Sequence, residues 1–373
     1  MITQVVLFGA AGDLAGRFVL PALAGLDGVR VVGADAQEWD DDAFRRHVAD
    51  RLGDRAPAAF LAGLSYVRVD ATRPQDVARA VRRADRAPLV AYLALPQSVF
   101  LPAISGLARA GLPAGSRVAV EKPFGADLEE ALVLNALLDE HAFRVDHVLG
   151  MPKVQELLAR RLAGEAPEDV AEVEILWEET LALEGRAGFY DRAGALKDVL
   201  QNHMLQLLAI VAMEPPASVE EVRDRKMDVL RATRALRSAR ARYAGYAEEA
   251  GVDPARGTET FVEVLLEVDT PRWAGTTFRM RAGKGLGHGF KGAILHPRGG
   301  DPVRFEADRL GEGEPPAYAR VLRDVLSGGS TLSVRADEAE AAWRIVTPVL
   351  DDWAAGKVTL EEYPVGSAGP PAL

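Results

Sequence analysis

The chain has 373 residues, 48% of them hydrophobic, and a formal charge of −11. At about 100–200 residues per domain this length predicts two domains, and the acidic balance argues against nucleic acid or an anionic membrane surface as the main partner. There is no cysteine, so disulfides and thiolate metal sites are excluded; Met1-Ile2-Thr3-Gln4 runs straight into a strand without a basic leader, and no apolar run reaches membrane-spanning length, so the expectation is a cytoplasmic protein.

Val5-Val6-Leu7-Phe8 is a short continuous apolar run, the pattern of a buried parallel strand. Gly9-Ala10-Ala11-Gly12-Asp13-Leu14-Ala15-Gly16 follows, then a helical pattern through Leu20, Leu23 and Leu26. Strand, glycine-rich turn and helix is the setting a dinucleotide fingerprint requires, with the pyrophosphate at the helix N-terminus. The spacing is Gly-x-x-Gly, which a purely structural turn also satisfies.

Further strands read at Val29–Val32, ending in Gly33-Ala34-Asp35, at Val67–Val69, at Leu89–Leu95 before Pro96, and at Val118–Val120 before Glu121-Lys122-Pro123-Phe124-Gly125. Helical patterns lie between them at 41–52, 73–84, 98–110 and 126–140, with Asp40, Asp41 and Asp42 as a helix cap and first turn. This alternation predicts a Rossmann-type, doubly wound parallel sheet. Ligands bind such sheets at the carboxyl ends of the strands. The cofactor side is therefore expected at Gly9, Ala10, Gly12, Asp13, Leu14, Asp35, Leu95, Pro96, Glu121 and Lys122. Asp35 can accept hydrogen bonds from a ribose and repels a 2′-phosphate, so NAD is expected over NADP. Lys122 is one of only seven lysines, at a strand end, where the alternative is a solvated loop residue.

At Arg144-Val145-Asp146-His147-Val148-Leu149-Gly150 the pattern changes. The expected division is a Rossmann domain at 1–148 and a substrate-binding and dimerisation domain at 149–373. The second begins with a helix near 152 and a long antiparallel strand, Val170–Leu181, carrying Glu178 and Glu179. A loop at 184–191 leads to a helix over Leu196–Met213. Residues 219–239 read as a charged, solvated outer helix, Val262–Val268 and Thr276–Arg281 as strands, Ala282-Gly283-Lys284-Gly285 as a turn, 336–353 as the last helix, and the tail from Gly366 as frayed.

His203 falls in the apolar helix beside Leu200, Leu205, Leu207 and Leu208, where a satisfied core histidine is the bland reading. Asp198, Gln201 and Asn202 share the segment, which is too polar for a structural stripe alone. A histidine base needs a partner that fixes its tautomer. Asp198, five residues away, stands about 140° round an α-helix, so Asp146 is the better partner. The expected chemistry is oxidation of a carbinol by hydride transfer, with His203 as base. His141 and His147 lack metal-ligand company, and neither a Gly-x-Ser-x-Gly elbow nor a phosphate loop with Lys-Ser/Thr is present.

These segments resemble the glucose-6-phosphate dehydrogenase family over nearly the whole chain. The match runs through Phe8-Gly9-Ala10-Ala11-Gly12-Asp13-Leu14-Ala15, Tyr92-Leu93-Ala94-Leu95-Pro96, Glu121-Lys122-Pro123-Phe124-Gly125, Arg144-Val145-Asp146-His147, Glu184-Gly185-Arg186, Asp198 to Leu208, Val211-Ala212-Met213-Glu214-Pro215, Arg272-Trp273-Ala274-Gly275, Arg281-Ala282-Gly283-Lys284 and Ala342-Trp343-Arg344-Ile345-Val346-Thr347-Pro348. The resemblance implies a Rossmann domain followed by an α+β domain with a large, mostly antiparallel sheet. It also implies NAD or NADP as cofactor, a sugar or sugar phosphate as substrate, the pentose phosphate pathway as context, and a homodimer. By resemblance His203 is the base and Asp146 its partner; Lys122, Glu179, Asp198 and Lys284 hold the sugar hydroxyls, and His147 the phosphate. Where the family has Tyr after that His, and Lys three residues further on, this chain has Val148 and Met151. The chain is also shorter than family members, the loss falling after Lys291 in strands the family uses for subunit association.

Overall fold

The computed structural model describes residues 1–138, 142–183, 187–309 and 314–373. His141 and the Glu184-Gly185-Arg186 match lie outside the described residues. The chain forms two compact units, Met1–Gly150 with Gly313–Arg335, and Met151–Glu312 with Ala336–Leu373. In chain order the strands are β1 (Gln4–Phe8), β2 (Arg30–Asp35), β3 (Leu64–Arg68), β4 (Val90–Leu93), β5 (Arg117–Glu121), β6 (Ala142–Val145), β7 (Val170–Glu178), β8 (Thr233–Tyr243), β9 (Phe261–Val268), β10 (Thr277–Gly283), β11 (Phe290–Pro297), β12 (Val303–Glu306), β13 (Ser333–Val334) and β14 (Leu360–Tyr363).

The sheet of the first unit runs β13-β6-β5-β4-β1-β2-β3. All pairs are parallel except β13 on β6. β1 and β4 are buried along their whole length because helices cover both faces, which is why they read as unbroken apolar runs. Strand order reverses between β1 and β4, the switch point where such sheets take ligands. Helices Asp41–Leu52, Pro74–Arg83, Phe100–Ala110 and Leu128–Leu137 fall where the periodicity places them, and Asp40 caps the first by accepting the Ala43 N–H at 2.7 Å. Residues 313–335, which the sequence division assigns to the second domain, pack with the first unit. Their helix Ala317–Leu326 buries Tyr318, Val321, Leu322 and Val325.

The sheet of the second unit runs β12-β11-β7-β10-β9-β8-β14. It is antiparallel except for β10 on β7 and β14 on β8. One face is apolar, with Val173, Ile175 and Trp177 of β7, Val262, Val264 and Leu266 of β9, and Phe278 and Met280 of β10 all buried. The other face is a charge lattice in which Arg279 bridges Glu172 (3.1 Å) and Glu263. Arg272 and Glu214 form a two-pronged pair (2.8 and 2.6 Å) and Trp273 Nε1 donates to the Ala212 carbonyl, so these family-matching residues brace the loop after Ala212.

Four expectations are corrected. The helix expected over 219–239 runs only Val222–Ala232, and it is not a solvated outer one: Lys226, Met227, Val229 and Leu230 are buried, with Lys226 paired to Glu338 at 2.8 Å. Residues 233–243 are β8, because pairing with β9 overrides the helix propensity of its Ala and Arg residues. The tail is docked: the Leu373 amide donates to Glu263 Oε1 at 2.9 Å, Gly287 donates to the Ser367 carbonyl at 2.8 Å, and Arg281 donates to the Ala368 carbonyl. β7 ends at Glu178 and is antiparallel only to β11, and the loop read at 184–191 contains the short helix Ala187–Tyr190.

Candidate active site

In the first unit the glycine-rich turn leaves β1 at the switch point. Gly9 has φ +79°, and a Cβ there would run into the Ala94 carbonyl, so only glycine fits. Gly12 donates to the Gly9 carbonyl and Gly16 to the Gly12 carbonyl, each at 3.0 Å. The chain then enters a wide i→i+5 turn, Ala15–Val19, before the α-helix Leu20–Ala24. Asp35, at the end of β2, accepts the Ala11 N–H (2.9 Å) with one oxygen and the Ala36 N–H (2.7 Å) with the other, which fixes a negative charge beside the turn. Asp13 is exposed and pairs with Arg17 at 3.3 Å. Ala10 is buried, Leu14 half-buried, and Leu95 and Pro96 follow β4. A turn without side-chain bulk against β4, next to a fixed carboxylate, fits a dinucleotide carrying a free ribose 2′-hydroxyl.

Glu121, expected on the cofactor side, ends β5. It is 5% exposed and accepts hydrogen bonds from Tyr92 Oη (2.5 Å) and from Tyr318. Burial pushes its carboxyl up to about 7 against those two bonds and the Lys122 charge. Lys122 follows, half-buried. Asp146 is wholly buried; its Oδ1 accepts the Val148 N–H and its carbonyl the Leu149 N–H, each at 3.1 Å, so it caps the short turn His147–Gly150. The His147 ring stacks on Tyr318 with centroids 5.5 Å apart and planes 14° off parallel.

In the second unit, Leu196–Met204 is wound as a π-helix and continues as the α-helix Leu205–Ala212. π-Helical turns are rare and concentrate at functional sites. Their i→i+5 bonding brings residues five apart towards one face, so the α-helical angle between Asp198 and His203 does not hold here. Gln201, Asn202 and His203 are all buried. Asn202 Nδ2 reaches back to the Lys197 carbonyl (2.9 Å), while Asn202 Oδ1 accepts the His203 N–H (2.8 Å). The start of the segment is held by Glu259, whose carboxylate accepts the Leu196 N–H at 3.0 Å and which burial pushes up to about 7.

Lys284, just past β10, binds Glu179 and stands 3.9 Å from Asp198. Lys291 approaches the other Glu179 oxygen at 3.1 Å. Burial works against the Glu179 charge, but the two lysines outweigh it and hold the carboxyl below its usual range. One small crevice is lined by Trp177, Glu179, Tyr190, Asp198 and Lys284. Three of the residues expected to hold sugar hydroxyls thus meet within this unit. Sequence reasoning missed Trp177, Tyr190 and Glu259. It could not place Lys291 either, because only the β7–β11 register sets that lysine opposite Trp177.

Residues 6–156 match the family model for the glucose-6-phosphate dehydrogenase NAD binding domain, and residues 166–295 and 302–373 match that for the glucose-6-phosphate dehydrogenase C-terminal domain. The glucose-6-phosphate 1-dehydrogenase of Zymomonas mobilis is 33% identical over 471 aligned positions, covering 99% of this chain and 96% of the relative. An alignment of that length on 373 residues leaves about a hundred positions of the relative without a counterpart here. Among solved structures, glucose-6-phosphate 1-dehydrogenase from Mycobacterium avium superposes with TM-score 0.87 at 31% identity, covering 99% of this chain and 95% of that one. A glucose-6-phosphate dehydrogenase in complex with glucose 6-phosphate gives TM-score 0.85 at 26% identity, covering 100% and 96%.

Proposed function

The chain belongs to the glucose-6-phosphate dehydrogenase family, whose members are NAD(P)-dependent dehydrogenases acting on a sugar CH–OH group, and we propose that it oxidises C1 of glucose 6-phosphate or a closely related aldose to the lactone. When bound, the nicotinamide cofactor supplies the hydride acceptor. His203 takes the C1 hydroxyl proton as the C1–H bond gives up its electron pair, and Asp146 orients the imidazole. Lys122, Glu179, Asp198 and Lys284 hold the sugar hydroxyls, and His147 faces the phosphate end. The observation that carries this reading is the grouping of Glu179, Lys284 and Asp198 round one crevice, with His203 on the same helix as Asp198.

NAD is preferred to NADP because of the charge fixed at Asp35. The family resemblance points to a homodimer working in the cytoplasm. No helix among the described residues is long and apolar enough to cross a membrane. A second reading, an unphosphorylated or differently phosphorylated sugar, is favoured by the apolar Val148 and Met151 where the family has Tyr and Lys. A catalytically silent nucleotide-binding subunit is disfavoured by the retention of Lys122, Asp146, Asp198 and His203. A panel of sugars and sugar phosphates with NAD and NADP, read as reduced-nicotinamide absorbance, tests the proposal. Turnover of glucose 6-phosphate supports it, turnover of the free sugar alone selects the second reading, and no turnover of any member contradicts both.

A further inference from the structure

Trp177 is the last core-facing residue of β7 and is 5% exposed. Across the sheet it is in register with Ala282 of β10 on one side and Lys291 of β11 on the other. The small Ala282 leaves room for the indole. Two groups lie against that indole. The His203 ring is 5.4 Å away, centroid to centroid, tilted by 31°. Lys291 Nζ is 5.4 Å from the ring centroid, within cation–π range, while also bonded to Glu179 at 3.1 Å. One flat side chain therefore walls both the imidazole proposed as the base and one of the two ammonium groups at Glu179.

We propose that Trp177 is a positioning residue of the active site, fixing the plane of the His203 imidazole and the reach of the Lys291 ammonium. This rests on the reading of His203 as the base. An indole serves both tasks at low entropic cost: its face attracts a cation and it has only two side-chain torsions to freeze. The effect on His203 belongs to kcat, since a mis-set ring misdirects proton removal from C1. The effect on Lys291 belongs to KM, because that lysine is tied to Glu179 rather than to the base.

The experiment compares Trp177→Phe with Trp177→Leu, both apolar and close in volume, only one of which keeps an aromatic face. Steady-state kinetics with glucose 6-phosphate and NAD are measured beside His203→Asn. The Phe variant is expected to stay within about threefold of wild type in kcat and KM, while the Leu variant loses about tenfold or more in kcat and gains several-fold in KM. Equal kinetics for Phe and Leu, with His203→Asn inactive, overturn the inference and leave the reading of the base intact. An active His203→Asn removes that reading instead. Should the Leu variant not fold, Trp177→Met, also without an aromatic face, takes its place beside Trp177→Phe: a loss of about tenfold or more in kcat for Met alone is expected, and equal kinetics for Met and Phe overturn the proposal.

Discussion

Lys291 sets its Nζ 3.1 Å from Oε1 of Glu179, while Lys284 takes Oε2 of the same carboxylate. Two cations thus hold one half-buried acid ionised against the pull of burial. That charge can accept hydrogen bonds from a sugar, and the lysines offer donors of their own.

The first prediction follows from this pair. Lys291→Met removes one charge-assisted contact worth about 1.5–3 kcal/mol. KM for the sugar substrate should rise about tenfold or more with kcat within about twofold, because the contact is made in the ground state and the transition state alike. An unchanged KM would place Lys291 outside the substrate path.

The second concerns stability and pH. Burial raises Glu259 to about 7 in the folded chain, against an ordinary carboxyl value of 4.5. Between these values the native state holds the extra proton. The contribution is therefore fully present below about 4.5 and lost as pH rises through about 7. Glu121 has the same sign in the other unit; His47, lowered chiefly by burial, opposes them. Glu259→Gln keeps an acceptor for the Leu196 N–H without the charge. It should gain stability over wild type at pH 8 but not at pH 4.5, by denaturant unfolding. An equal difference at both pH values contradicts the account.

Much of this fold was legible because the first unit follows rules that act locally. Buried parallel strands read as apolar runs, and Asp40 reads as a cap. The second unit hid β8 because Ala239, Ala241, Arg240 and Arg242 favour helix as isolated residues, and only the β9 partner decides otherwise. The π-winding of Leu196–Met204 left no periodic mark, so the angle from Asp198 to His203 was misjudged from α-helical geometry. His203, Asp146 and Lys122 were read from their own segments, whereas the roles of Glu179, Asp198, Lys284 and His147 came through a resemblance. Trp177 and Lys291 reach the site through strand register and Glu259 through its bond to the Leu196 N–H, neither of which any spacing along the chain encodes.

The third prediction concerns the cofactor. Asp35 is fastened beside the glycine-rich turn by the Ala11 and Ala36 amides, and the nearby Arg17 is shared with Asp13 at an exposed position. NAD should bind more tightly than NADP, and Asp35→Asn should narrow the gap by weakening the repulsion of the 2′-phosphate. Dissociation constants from equilibrium binding decide; tighter NADP binding by the wild type would refute the assignment.

The fourth concerns the phosphate end. Val148 is wholly buried in the turn that Asp146 caps, so Val148→Tyr would overpack it at a cost of about 1–3 kcal/mol and restore nothing. Met151 is only half-buried, and Lys153 is already paired with Glu156 at 2.7 Å. Glucose 6-phosphate should therefore bind weakly, and Met151→Lys alone should lower its KM about tenfold with kcat little changed. A wild-type KM in the low micromolar range would mean that another cation already holds the anion.

The most direct test of the central claim is turnover by His203→Asn. His203 is buried on the helix that also carries Asp198, in the unit without the glycine-rich turn. A general base contributes about 10²–10⁴-fold. The substitution should lower kcat by that amount while the dissociation constant for NAD stays within about twofold of wild type. A variant that keeps wild-type kcat on the true substrate would make His203 a core residue and contradict the mechanism.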